Sequence, residues 1–111
     1  MQIISSDLLR GHIDTFVLAA LMTGRQYGNE IRRHIEKKTN GLYKPNEQSL
    51  YSAYHRLEEG GYIKGEWGGE ITGVTRKYYT ITEKGIALYN SNRQDWVNAK
   101  MLIDLLITYE K

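Results

Sequence analysis

The feature that most constrains the fold is a boundary at Pro45, the single proline of the chain. Proline interrupts a helix and disfavours a helical conformation at the residue before it. Asn46 follows as a strong helix N-cap, and Glu47 is favourable in the first helical turn. A helix from there to about Glu59 is predicted by four apolar residues at helical spacing, which form its core face: Leu50, Ala53, Tyr54 and Leu57.

Two further helices are predicted before this boundary. The first follows Ser5 and Ser6, either of which can be its N-cap. Its single apolar face has steps of one, three and four residues: Leu9, Ile13, Phe16, Val17, Ala20 and Leu21. The second runs from about residue 27 to residue 39, and Gly41 can adopt the left-handed conformation that ends a helix.

The region after the third helix has the pattern of a β-hairpin. Two glycines end that helix, and strand-like runs follow at 62–67 and 76–82. The sequence GGEITGVT between them is rich in glycine and lacks apolar periodicity, which predicts a long flexible tip. Thr82 can cap a last helix that reaches about Tyr109. The predicted order is three helices, a hairpin and a helix, in one compact unit without repeats or linkers.

Length and composition limit the class of protein. The chain has 111 residues, of which 41% are hydrophobic and 25% charged, as is typical of one globular domain. No apolar run approaches the roughly 20 residues of a membrane helix, and no secretory signal is recognisable. The absence of cysteine excludes disulfides and thiolate chemistry. We therefore expect a cytoplasmic protein with no membrane partner.

No catalytic, cofactor or metal site is recognisable in the sequence. The three histidines, His12, His34 and His55, fall on three different predicted helices and lack carboxylates at metal-ligand spacing. The glycine pairs are turn residues, and no serine has the context of a nucleophile elbow. We expect a protein that is not an enzyme and that carries no cofactor.

The second and third helices form a candidate helix-turn-helix. The major groove of DNA admits one helix, so the second helix of the motif must present short polar side chains outward. The third predicted helix does so on the face opposite its core: Gln48, Ser49, Ser52, His55 and Arg56. Lys44 and the amide groups near Asn46 offer a phosphate site. The alternative is an ordinary solvent-exposed face, and this helix alone does not decide between the two.

The hairpin adds a second basic element. Lys64, Arg76 and Lys77 surround its glycine-rich tip, as a wing needs if it is to contact phosphates or a minor groove. A hairpin directly after a helix-turn-helix is a more specific arrangement than either part. The expected fold class is mainly α with a small β-hairpin, a winged helix-turn-helix followed by a long C-terminal helix.

Three segments of the sequence carry a family resemblance. They are NEQSLYSAYHRLE at 46–58, EGGYIKGEW directly after it, and RKYYTITEKG from residue 76. Together with LLRGHIDTFVLAAL, QYGNEI and Trp96 they resemble the PadR family of bacterial transcriptional regulators over nearly the whole chain. The resemblance implies winged-helix dimers that bind palindromic operators and commonly repress neighbouring genes. It also implies DNA contacts for Tyr51, Arg76, Lys77 and Tyr78.

The last predicted helix has more apolar surface than a chain of this length can cover. One heptad-like row consists of Trp96, Ala99, Ile103 and Leu106. A second row consists of Val97, Met101 and Leu105. Because another copy of the helix is the natural cover, we expect a homodimer. The chain then divides into a DNA-binding region at 1–82 and a dimerisation helix at 83–111, within one compact domain.

Trp96 has two interpretations. It can be a core residue of the dimer interface, or it can stack against a planar aromatic effector between subunits. The second interpretation follows from the resemblance to the compact PadR subfamily that includes multidrug-sensing repressors. It makes five residues candidate lining residues of such a site: His12, Asp14 and Thr15 on the first helix, and Asn98 and Lys100 around the turn that contains Trp96.

A different class of function fits the same elements. A winged helix can be a protein-protein interaction module that binds through its surface without sequence-specific DNA binding, and its basic residues then serve solubility. A winged-helix RNA-binding protein is a lesser alternative. Salt-dependent binding to duplex DNA separates the first of these from a DNA-binding regulator.

Overall fold

The computed structural model describes residues 6–69, 73 and 75–109. Within them the chain is mainly helical with a small β-sheet, and the long C-terminal helix is present, as the sequence predicts. No helix among these residues is long and apolar enough to cross a membrane. The elements in chain order are α1 (Ser6–Arg10), α2 (Ile13–Leu21), β1 (Gln26–Tyr27), α3 (Gly28–Lys38), α4 (Glu47–Glu59), β2 (Ile63–Gly68), β3 (Arg76–Ile81) and α5 (Glu83–Ile107).

The first helix of the sequence prediction is two helices in the structure. A turn at Gly11 and His12 separates α1 from α2, and the His12 N–H donates a hydrogen bond to the Leu9 carbonyl oxygen (2.9 Å). Glycine destabilises a helix interior by about 1 kcal/mol relative to alanine, and apolar spacing does not register such a break. The prediction of a single helix was therefore wrong. Ser6 is already helical, and Ser5 lies outside the described residues.

The other helix boundaries follow the sequence closely. Asn46 caps α4, because its side chain accepts a hydrogen bond from the Ser49 N–H (3.1 Å). Thr82 caps α5 in the same way through the Gly85 N–H (3.1 Å). Gly41 follows α3 with a φ of +78°, which is the left-handed conformation expected of it. These predictions are confirmed.

The predicted hairpin is part of a three-stranded antiparallel sheet of order β1-β3-β2. In the hairpin itself, Ile63 of β2 pairs with Ile81 of β3. The additional strand β1 places Tyr27 opposite Tyr78. Two residues are too few for a recognisable alternation, so β1 was not predicted. Of the predicted flexible tip, positions 70–72 and 74 lie outside the described residues.

The hydrophobic core lies between α2, α3, α4 and one face of the sheet. The four residues predicted as the core face of α4 are all buried, which confirms that prediction. Tyr79 of β3 is buried on the sheet face that meets α4, where its ring centroid lies 5.0 Å from that of Tyr54. The buried apolar residues are Ile13, Val17, Leu18, Ala20, Leu21, Ile31, Ile35, Leu50, Ala53, Tyr54, Leu57, Ile63 and Tyr79.

The first half of α5 lies against α2, and its second half projects beyond the rest of the chain. The Asn92 amide donates a hydrogen bond to the Thr15 hydroxyl (2.9 Å), and Leu88 and Tyr89 pack on the core. Gly85 is the one fully buried residue of this helix. The molecule measures 65 × 33 × 21 Å along its principal axes. A single chain therefore leaves most of α5 exposed.

Candidate nucleic-acid interface

Two interactions fix α4 against the helices around it. The Tyr54 hydroxyl donates a hydrogen bond to the Gly28 carbonyl oxygen at the start of α3 (3.1 Å). Arg56 forms an ion pair with Asp14 of α2 (Nη2–Oδ1, 2.6 Å). A helix that reads DNA needs such support, because its side chains meet the bases in register only if its axis is fixed.

The face of α4 that points away from the core carries predicted DNA-reading residues. The Tyr51 ring is 62% exposed and meets the Tyr54 ring edge-on (6.1 Å between centroids). Ser49 is half-buried at the start of the helix. Exposed on this face are Gln48, Tyr51, Ser52 and His55. The structure thus brings the predicted polar residues together on one accessible surface.

Arg56 differs from the rest of the predicted set. Its guanidinium group is bonded to the Asp14 carboxylate through both Nη2 and Nε (2.6 and 3.4 Å). This hydrogen bonding raises the pKa of Arg56 above its ordinary value. The side chain remains 55% exposed, so Arg56 can reach DNA only by sharing or leaving this carboxylate.

A groove of about 850 Å³ lies beside the N-terminus of α4. The Ser49 N–H at this end already donates to the Asn46 side chain, so the predicted phosphate site has one amide fewer to offer. Lys44 is exposed and has no ion pair in the part of the chain that the structure describes. Polar residues that line the groove include Arg10, Lys44, Asn46, Gln48 and Ser52.

The three basic residues predicted for the wing lie on both faces of the sheet. Lys77 points toward α4, where its Nζ donates to Glu58 Oε1 (2.7 Å), and this hydrogen bond raises the pKa of Lys77. Lys64 is exposed, and a carboxylate from its own strand lies 3.4 Å from its Nζ. Because successive residues of a strand alternate between faces, Arg76 lies on the face opposite Lys77. Of the three predicted wing cations, Lys64 and Lys77 are thus paired with carboxylates.

Two residues of this sheet surface were missed by sequence reasoning, Arg25 and Tyr27. The Arg25 guanidinium lies over the Tyr78 ring, and that of Arg76 lies over the Tyr27 ring (4.2 and 4.7 Å from Cζ to the ring centroid). The sequence signal for them is the spacing Arg-x-Tyr, which begins at Arg25 and again at Arg76. In paired strands that spacing places all four side chains on one face.

Two of the predicted effector residues, Trp96 and Thr15, lie at the junction of α2 with α5. Trp96 is 47% exposed, and its ring meets that of His12 edge-on (5.0 Å between centroids). Thr15 lies at the same junction through its hydrogen bond with Asn92. Farther along α5, Ala99 is half-buried, and exposed positions include Lys100, Ile103 and Leu106.

Lys100 belongs with the second apolar row of α5 rather than with the row of Trp96. It lines a groove of about 390 Å³ that runs along the exposed part of the helix. The other residues that line this groove are Val97, Met101, Asp104, Leu105 and Thr108.

The sequence of this chain matches one protein family over most of its elements. The model of the transcriptional regulator PadR-like family matches residues 17–91, from α2 into α5. The chain belongs to this family. The resemblance noted in the sequence is confirmed, and the PadR-like assignment makes the protein a transcriptional regulator rather than an enzyme.

Solved structures and a sequence relative support the PadR-like assignment. A transcriptional regulator from Clostridium thermocellum is 42% identical with a TM-score of 0.87, covering 96% of this chain and all of that one (100%). A PadR family regulator from Clostridium difficile is 26% identical with a TM-score of 0.74, covering 88% and 100%. An uncharacterized protein from Lysinibacillus sphaericus is 35% identical over 104 residues, 94% of this chain and 95% of its own length.

Proposed function

We propose that this PadR-like protein is a cytoplasmic, sequence-specific DNA-binding regulator that represses transcription as a homodimer on a palindromic operator. The observation that carries the proposal is that α4 is held firmly in the fold while one of its faces stays exposed. It is fixed to α2 by Arg56 and to α3 by Tyr54, yet its outward face consists of accessible polar side chains. This combination of a rigid axis and a polar face is what direct reading of a major groove requires.

The proposed DNA contacts divide into two kinds. Gln48 and Ser52 lie within the exposed face of α4 and have the chemistry to read base edges, with Tyr51 and His55 beside them. Lys44 before the helix and Arg76 at the wing have the chemistry to bind phosphates. The other predicted contacts that we retain in the proposal are Asn46, Ser49, Arg56, Lys64, Lys77 and Tyr78.

The proposed homodimer is supported by the uncovered surface of α5. Leu105 and Leu106 are 70% and 82% exposed in the single chain, and a groove with Lys100 and Asp104 on its walls runs beside them. Burial of apolar surface is worth roughly 25 cal/mol per Å², so a second copy of α5 would gain substantially by covering this face. A two-fold dimer also supplies two α4 helices for the two halves of a palindrome.

A planar aromatic effector at Trp96 is the regulatory part of the proposal. The residue is 47% exposed and its ring meets that of His12 edge-on, so part of the indole surface is accessible to a ligand. Thr15 supplies a hydroxyl at the same junction. The proposal that the protein represses rather than activates transcription rests on its resemblance to the PadR family.

The test is to sequence the DNA fragments that the purified full-length protein retains from a random pool. We expect an inverted repeat whose half-sites are roughly 10 base pairs apart, or a multiple of that, centre to centre. Binding in a mobility shift should weaken steeply with salt. A protein that shifts no duplex at any salt concentration would instead be an interaction module. The Gln48→Ala/Ser52→Ala double variant, which keeps the core face of α4 intact, should no longer select this repeat, because the side chains proposed to read its bases are removed.

A further inference from the structure

We propose that the outer face of the sheet carries a second, separate phosphate-binding surface that contacts the DNA backbone outside the segment read by α4. We call it the arginine–tyrosine cluster, formed by Arg25, Tyr27, Arg33, Arg76 and Tyr78. The inference rests on the proposed DNA-binding function and extends it to residues with no assigned role, Arg25 and Arg33.

Two tyrosine rings at the centre of the cluster hold three guanidinium groups. The Tyr27 and Tyr78 rings meet edge-on, 5.5 Å between centroids, because their residues pair directly across β1 and β3. Arg25 stacks on Tyr78 and Arg76 on Tyr27, each diagonally across the strand pair (4.2 and 4.7 Å). Arg33 of α3 donates a hydrogen bond from Nη2 to the Tyr27 hydroxyl (3.1 Å).

Arg25 passes close to the backbone of Gly68. A Cβ at this position would lie in van der Waals contact with Arg25 Nη2 (3.4 Å) and with the Tyr78 ring (3.6 Å). The cation–π contacts orient the guanidinium groups before any ligand arrives. Ordering side chains in advance lowers the entropic cost of binding.

The one carboxylate of β2 that shares the cluster's face, Glu66 opposite Tyr78, is engaged by Lys64 (3.4 Å) rather than by an arginine of the cluster. None of its three arginines has an ion-pair partner among the described residues, whereas Arg56 and Lys77 on the α4 side are both paired. Arg25 and Arg33 are exposed. Like charges held close together repel one another, so an anion with several oxygens would stabilise the arrangement.

The geometry suits phosphodiester oxygens. A guanidinium held over an aromatic ring by a cation–π contact keeps N–H donors with which to bond phosphate oxygens, and its fork of donors matches them bidentately. A row of anions at regular spacing, as in a nucleic-acid backbone, can satisfy all three groups together. The duplex that α4 is proposed to read supplies such a row of phosphates.

The cluster and α4 are on different sides of the sheet. Tyr79 and Lys77 contact α4 through Tyr54 and Glu58, and strand alternation puts Arg76 and Tyr78 on the other face. The cluster therefore does not compete with α4 for one groove. In this proposal the arginine–tyrosine cluster contacts backbone phosphates that flank the half-site bound by α4.

The experiment compares the Arg25→Gln/Arg33→Gln double variant with wild type on the operator recovered by selection from the random pool. Both positions are exposed, and neither belongs to the core or to the face of α4. Lys38→Gln is the charge control, since Lys38 is exposed at the opposite end of α3. Two duplexes are used, one trimmed to about 20 base pairs around the half-sites and one extended to about 40.

On the extended duplex we expect the double variant to bind roughly tenfold more weakly, with a salt slope smaller by about 0.9 for each phosphate that is no longer neutralised. On the trimmed duplex it should equal wild type, and Lys38→Gln should equal wild type on both. Equal binding of variant and wild type on the extended duplex overturns the inference and leaves the proposed function standing. The inference is also overturned if the double variant loses the same affinity on both duplexes, or if Lys38→Gln loses as much affinity as the double variant. If wild type binds neither duplex, the proposed function itself has failed.

Discussion

Arg56 of α4 and Asp14 of α2 are joined by an ion pair with an Nη2–Oδ1 distance of 2.6 Å, although 42 residues separate them in sequence. Thr15, the next residue of α2, accepts a hydrogen bond from Asn92 of α5. The start of α2 therefore touches both the helix proposed to read DNA and the helix proposed to form the dimer. Arg56, predicted as a base-reading residue, also has a structural partner.

Asp14→Asn should separate these two roles of Arg56. Losing a partly exposed ion pair should lower the free energy of unfolding by up to about 1 kcal/mol. Operator binding should become about threefold tighter at low salt, because a carboxylate beside the DNA is removed and Arg56 is released. Titration of labelled operator measures this, with Asp95→Asn on α5 as the charge control. Weaker binding by Asp14→Asn would show that Arg56 serves DNA binding only as a support for α4.

Gln48→Ala should change which sequence is bound rather than how strongly DNA is bound in general. A glutamine amide that pairs with a base edge contributes about 1–3 kcal/mol of discrimination at that base pair. Lys44→Ala, a phosphate contact in this proposal, should instead weaken all sequences alike. Repeating the fragment selection with each variant measures both effects. An unaltered consensus for Gln48→Ala would place base reading elsewhere on α4.

Leu106→Asp should convert the protein to a monomer. The side chain is 82% exposed in the single chain, so the substitution costs the monomer little, but it would bury a charge in an α5–α5 interface. Light scattering at micromolar concentration should give twice the 12.9 kDa chain mass for wild type and the single mass for the variant. Leu42→Asp, at an exposed position away from α5, should remain dimeric. A monomeric wild type at that concentration would refute the dimer.

Tyr54→Phe should change both stability and its dependence on alkaline pH. Burial raises the pKa of Tyr54, and Tyr79 and Tyr51 add to the shift. A raised folded pKa means that this group stabilises the protein fully below its ordinary value of 10.0 and loses that contribution as the pH rises toward the folded value.

The variant should lose about 1 kcal/mol at neutral pH, because the hydrogen bond to the Gly28 carbonyl oxygen is gone. Above 10.0 its stability should fall less steeply than that of wild type. Urea unfolding at several pH values measures both, and Tyr109→Phe, at an exposed position, should behave as wild type does. Identical alkaline slopes for Tyr54→Phe and wild type would contradict the assignment.

Trp96 should report binding of planar aromatic compounds. Ring stacking contributes about 0.5–1.5 kcal/mol per pair beyond burial, so a dye that stacks on this ring should quench its emission. Trp67 is also exposed, and the measurement therefore needs a Trp67→Phe background. In that background the tryptophan emission should fall as dye is added. Adding Trp96→Ala should abolish dye binding, which is then measured by the fluorescence polarisation of the dye itself. The protein should remain dimeric. No quenching across a panel of planar dyes would leave Trp96 as a residue of the dimer interface only.

Local patterns of the sequence were sufficient for most of the secondary structure. The helix from Glu47 to Glu59, its cap at Asn46 and its buried face follow from residues within four positions of one another, because helical hydrogen bonds and side-chain neighbours have that range. The two hairpin strands follow from the same kind of local signal. The winged-helix order could therefore be predicted before any coordinates were known.

The break at Gly11 and the strand β1 were decided by the tertiary structure. Glycine tolerates a helix interior as well as a turn, so residues elsewhere in the fold determine which conformation Gly11 adopts. Gln26 and Tyr27 become a strand only because β3 lies beside them and supplies hydrogen-bond partners. Neither outcome is encoded in the spacing of nearby residues.

The partners of the charged residues also depended on the tertiary structure. From the sequence, Arg56, Arg76 and Lys77 are equivalent cations near a predicted DNA surface, and Arg25 has no role. In the folded chain Asp14 engages Arg56 and Glu58 engages Lys77, whereas Arg25 and Arg76 lie over tyrosine rings and have no ion-pair partner among the described residues. The sequence by itself determined the helices, the strands and the residues facing the core, since these depend on near neighbours. Charge pairing acts through space between residues far apart in the chain, so only the packing of the elements could decide it.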